Sequence, residues 1–155
     1  MYAKESRLRK KQADSFHELS QIALKDLRKI GKASMVCGPI TTGGQGSVEE
    51  NVRVFGLIIT HLKQKGVTVF EQLPYEPALW VLKDQWEKEG NEGYCMPLLT
   101  DFYGPVFKSG MIIDSYFLPD WESSFGAKWE RNELTQLGIA VHDLETELVN
   151  QIASM

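Results

Sequence analysis

A chain of 155 residues with 43% apolar and 25% charged residues can bury one sizeable core, which excludes a disordered or fibrous protein. No apolar run reaches the roughly 20 residues that cross a bilayer, and no apolar segment follows the basic N-terminus, so neither a membrane span nor a signal peptide is expected. The net charge of -4 is uneven: residues 1–32 hold nine Lys/Arg against four Asp/Glu, and the remainder eight against seventeen, which sets a basic N-terminal helical arm (1–32) apart from an α/β domain (33–155).

The pattern predicts a helix over residues 5–31, with Phe16, Leu19, Ala23, Leu27 and Ile30 on one face and Gly31 as its stop. Most such charged arms are solvated helix faces, so a nucleic-acid partner is not expected. Residues 33–37, Ala-Ser-Met-Val-Cys, read as a buried strand. A loop with four glycines in nine residues follows, from Gly38 to Gly46. Ser47-Val48-Glu49-Glu50 is a capping box, and Val48, Val52, Phe55, Ile59 and Leu62 recur at helical spacing up to Gly66. Val67 to Phe70 is β-branched and aromatic, hence a second strand and a right-handed βαβ unit.

Residues 71–109 are less regular. Pro77 can open a helix whose Leu79, Leu82 and Trp86 share a face. Between Tyr94 and Lys108, only the stretch around Leu98 to Tyr103 reads as helical, because Pro97, Gly104 and Pro105 interrupt the rest. A strand at 111–118 comes next, then a helix from Ser124 to about Leu137, a short strand at 139–141 and a C-terminal helix from Leu144 to Ile152. His17, His61 and His142 lack metal-ligand spacing, so no metal or cofactor is expected. Two cysteines make no disulfide framework, and a cytoplasmic setting is expected.

The chemistry-bearing stretch is Ser123-Ser124-Phe125-Gly126-Ala127-Lys128-Trp129-Glu130. Ser124 suits an N-cap, and Gly126 leaves the backbone open to close approach. The apolar stripe Ala127, 130, Leu134, Leu137 places Glu130 where a core residue is expected. An inward acid near a helix N-terminus, with dipoles favouring its ionised form, is suited to act as a nucleophile. Ordinarily a first-turn Glu faces solvent. The glycine loop and the 119–126 loop both leave the carboxyl ends of predicted parallel strands, where open α/β sheets bind ligands.

Cys37-Gly38-Pro39-Ile40-Thr41-Thr42-Gly43-Gly44, Asp114 and Ser124 to Glu130, in that order, resemble the nucleoside 2-deoxyribosyltransferase superfamily, nearest to its 2'-deoxynucleoside 5'-phosphate N-hydrolases. The resemblance covers residues 33–142. It implies a flavodoxin-like (Rossmann-like) parallel sheet with helices on both faces, and cleavage of a nucleotide N-glycosidic bond without metal or cofactor. It places the attacking glutamate at Glu130 and offers Asp101 as the acid. It implies a sugar-phosphate site of Gly38, Ile40, Gly43, Gly44, Asp114, Ser124 and Gly126. Where the hydrolases carry loop arginines, Thr42 and Gln45 stand here, and Lys128 replaces a glycine. A small-molecule nucleotide or nucleoside is the expected partner, in a homo-oligomer. A transferase of the same superfamily and a non-catalytic nucleotide-sensing module are the alternatives.

Overall fold

The computed structural model describes residues 13–41 and 43–155. Thr42 and the predicted helical turns of residues 5–12, with four of the nine Lys/Arg of the arm, lie outside the described residues. Within these bounds the chain is an α/β protein whose three-stranded sheet is wholly parallel.

Helix α1 (Phe16–Ile30) starts at Ser15, whose hydroxyl accepts from Glu18 N at 3.0 Å, and ends at Gly31, at φ 88°. It buries Phe16, Leu19, Ala23 and Leu27 as the pattern predicts, but Ser20 and Leu24 join them and Ile30 is exposed. Phe16, Leu19, Ala23 and Leu27 of this helix enter the main core together with residues of the 33–155 segment.

Strand β1 (Ala33–Cys37) is buried throughout, and α2 (Val48–Gln64) follows the glycine loop. Ser47 caps α2, accepting from Glu50 N at 3.1 Å. The inward stripe of α2 is Asn51, Val54, Phe55, Ile58, Ile59 and Leu62, rotated from the predicted one; Val48 is exposed. The rotation follows from Asn51, whose amide bonds the glycine loop and so has to face inward.

The expected strand at 67–70 contracts to one parallel bridge, Ser34 with Val69. Ser34 N donates to Thr68 O at 2.8 Å and Phe70 N to Ser34 O at 2.9 Å. β1 is therefore flanked on both sides, by this bridge and by β2 (Ile112–Phe117), and β3 (Ala140–Asp143) lies beyond β2. β2 is less buried than β1: Ile113 is half exposed and Asp114 lies on the strand.

Helix α3 (Glu76–Lys88) is entered through a tight turn at Leu73–Tyr75. A π-helical stretch, Leu98–Tyr103, then runs into α4 (Gly104–Lys108), so Gly104 and Pro105 do not stop the helix as expected. Pro105 lacks an N–H and its ring crowds the carbonyl four residues back. The wider π turn, with Gly104 N–H reaching Leu99 O, accommodates that. Helices α5 (Phe125–Gln136) and α6 (Thr146–Ala153) complete the chain.

Alternate residues of β1 enter two apolar clusters. Met35 and Cys37 join the cluster with α1, α3, the π stretch and α4, while Val36 joins the cluster with α2 and α6. Among the described residues no helix is long and apolar enough to cross a membrane.

Candidate active site

The chain turns sharply after β1 and after β2, and the two loops lock together. Gly44 N donates to Ser123 Oγ at 2.8 Å, and Gln45 N to Asn51 Oδ1 at 2.7 Å. Asn51 Nδ2 donates to the carbonyls of Ile40 and Gly43, both at 3.0 Å. Gly43 takes φ 68°, and a Cβ there would sit 2.3 Å from the Ser123 carbonyl oxygen. Only glycine permits that contact between loops separated by the whole of α2, α3 and β2.

Below this junction a cleft opens at the carboxyl ends of β1 and β2. Gly38 and Ile40 line it from the glycine loop, and Ser124, Gly126 and Glu130 line it from α5. Those five are the predicted site residues that the fold brings together. Gly43 and Gly44 line an adjoining groove with Gly46, Ser47 and Ser123, and Thr41 borders both spaces. Ser124 caps α5, accepting from Ala127 N at 3.2 Å, as its position suggested. Lys128 is exposed and lines neither space.

Two predicted residues lie elsewhere. Asp101 is exposed on the π stretch, takes a hydrogen bond from Thr100 Oγ1 at 3.1 Å, and does not line the cleft. Asp114 sits in the first half of β2, away from its carboxyl end. It accepts from Ser34 Oγ on β1 and faces His142 Nε2 on β3 at 3.3 Å, so it ties three strands together.

The acid that the cleft does contain is Glu76, at the start of α3. It is 6% exposed, and Glu130 is 7% exposed. Tyr103 donates to Glu76 Oε1 at 3.2 Å, and the indole N–H of Trp80 also draws the same carboxyl toward its ionised form. Burial pushes Glu76 up to about 7, against the pull of those two donors. Burial, and then the charge of Glu76, pushes Glu130 up to about 8. At Glu130 burial therefore works against the helix dipole that was expected to favour the ionised form. Glu130 lies in the second turn of α5, beyond the free N–H groups of the first, where the dipole has faded and desolvation decides. Burial, and then Glu130, also raises Cys37 at the end of β1.

Sequence reasoning missed Glu76 because an acid just before a proline is an ordinary helix start. It also missed Gln72, which lines the cleft and is 1% exposed. Its one visible signal was polarity directly after a β-branched run. Tyr94 closes the cleft. Its ring stacks on Phe125 at 4.4 Å between centroids, and its hydroxyl would lie 2.9 Å from a Cβ at Gly126. The remaining cavity is about 40 Å³, room for a few waters.

The arrangement offers one carboxylate and one carboxylic acid at neutral pH, in a desolvated cleft at the carboxyl end of a parallel sheet. That is the equipment of general acid catalysis coupled to nucleophilic attack. Among the described residues no cluster of three or more His, Cys, Asp or Glu is placed to hold a metal. No protein-family model, no curated protein and no solved structure matches the chain.

Proposed function

We propose that the cleft hydrolyses the N-glycosidic bond of a (deoxy)nucleoside 5'-phosphate. The two buried acids share about one proton at neutral pH, resting mainly on Glu130; in the reactive state that proton sits on Glu76, so Glu130 attacks the anomeric carbon as a carboxylate while Glu76 protonates the departing base. The bond to the base breaks as the bond from Glu130 forms. Water then displaces the sugar from Glu130, and Glu76 takes the water's proton. The observation that carries this reading is the burial of Glu76 and Glu130 in one cleft, both raised into the neutral range.

The sugar-phosphate would lie along the glycine groove, where Gly43, Gly44 and Ser47 precede the N-terminus of α2. Tyr94 has to swing away from Gly126 to admit a ligand of this size. The order in which the 67–70 bridge, β1, β2 and β3 lie side by side is the flavodoxin-like one, and it supports placing the site at the β1–β2 crevice.

A second reading has its own support. Among the described residues no Lys or Arg lines the cleft or the glycine groove. A 5'-phosphate would meet no guanidinium or ammonium among them, which favours a nucleoside and the deoxyribosyltransferase alternative. The experiment is to incubate the protein with nucleosides and their 5'-phosphates, with and without added free base, and to separate the products by chromatography. Hydrolysis gives free base from the phosphates. Transfer gives a new nucleoside only when a second base is present. Silence from every substrate would leave neither reading standing.

A further inference from the structure

Gln72 lies one helical turn before Glu76 in sequence, and both line the cleft. Its Nε2 donates to the Val36 carbonyl at 2.5 Å. A carbonyl can only accept, so the amide is fixed with nitrogen toward β1 and oxygen turned away from it. Among the described residues, Gln72 Oε1 is the single buried side-chain oxygen or nitrogen without a hydrogen-bond partner. A buried acceptor left unmet is costly, and a side chain held this way is kept where something arrives to meet it.

We propose that Gln72 is a specificity-determining residue, whose Oε1 accepts a hydrogen bond from a neutral N–H or O–H group of the ligand. This rests on the nucleotide reading and names the chemistry the ligand has to carry. An amide oxygen bears only a partial charge, and a cationic group entering the cleft would be drawn to Glu76 and Glu130 instead. In a nucleotide the neutral donor has two sources, an exocyclic amine of the base or a hydroxyl of the sugar. A donor meeting Oε1 removes the unmet group. A ligand lacking that donor leaves it buried, and so is rejected.

The test is equilibrium binding by calorimetry with four probes: adenosine 5'-monophosphate, purine riboside 5'-monophosphate, which lacks the amine, and the 2'-deoxy and 3'-deoxy adenosine 5'-monophosphates. One of the three analogues should bind the unaltered protein about ten to a hundred times more weakly than adenosine 5'-monophosphate, and its identity names the source of the donor. In Gln72→Met, which keeps the side-chain length, that analogue and adenosine 5'-monophosphate should bind within about threefold of each other. The selectivity of the unaltered protein needs no variant, so it decides the matter even if Gln72→Met does not fold. Equal binding of all four probes, no binding of any, or a preference that survives in Gln72→Met would overturn the assignment. Binding is read without turnover. Selective binding with no base release leaves Gln72 in this role and removes the glycosidase reading, and base release without selectivity does the reverse.

Discussion

Inside the core, the Tyr103 hydroxyl donates to Glu76 Oε1 at 3.2 Å, while Glu130 faces the same cleft from α5. The bond restrains the rise of Glu76. Tyr103 comes from the π stretch, so an irregular helix turn supplies the group that tunes a buried acid. In Tyr103→Phe the Glu76 carboxyl loses a donor and titrates higher. The pH limb of base release that reports Glu76 should move upward, and stability should fall by about 1–3 kcal/mol. A pH-rate profile together with denaturant melts reads both. An unmoved limb would mean that Glu76 does not titrate in the reaction.

The buried acids also predict how stability depends on pH. An unfolded Glu titrates near 4.5, whereas folded Glu76 and Glu130 titrate at about 7 and about 8. Between these values the native state binds more protons than the unfolded one, so stability falls as pH rises. Each group should withdraw on the order of a few kcal/mol across that window. Thermal melting from pH 5 to pH 9 should show the decline, and Glu130→Gln should flatten it and melt above the unaltered protein at pH 9. A melting temperature that climbs across this range would show that the carboxyls are solvated.

The two candidate acids separate cleanly. Asp101 is exposed and outside the cleft, so Asp101→Asn should leave base release within about twofold. Glu76→Gln removes the proton donor and should slow it by about a hundredfold to ten-thousandfold. Steady-state rates for both variants decide which acid protonates the base.

The loop junction makes a forecast of its own. Gly43 and Gly46 both take positive φ, but a Cβ at 43 meets the Ser123 backbone, whereas one at 46 meets open space. Gly46→Ala should cost about 1 kcal/mol, the strain of the left-handed backbone alone. Gly43→Ala should cost clearly more and weaken the link between Gly44 and Ser123. Chemical denaturation of the two variants gives the comparison.

Much of this was legible in the sequence because local chemistry and the fold agree. Ser47 and Ser124 are caps by residue type, and both cap. The helical stripe through Ala127, Glu130 and Leu134 faces inward, though Leu137 at its end is exposed, so the buried carboxyl could be read from spacing. What failed depended on partners distant in sequence. The 67–70 run has strand composition, but it pairs with β1 through Ser34 alone, so it stays a bridge. The stripe of α2 turned because Asn51 serves the glycine loop. Glu76 and Tyr103 are 27 residues apart and meet only in the folded core, and no periodicity announces that. Asp101 was placed by resemblance in a segment without clear register, and the π turn directs it to solvent.

In the proposed reaction Glu130 forms the bond to the sugar. Single-turnover base release from the nucleotide or nucleoside that the product assay identifies, measured for the unaltered protein and for Glu130→Gln, tests it most directly. The variant keeps side-chain size and loses the nucleophile, so release should fall by several orders of magnitude, roughly 10⁴ or more, while binding persists. Equal base release from the two proteins would contradict the claim.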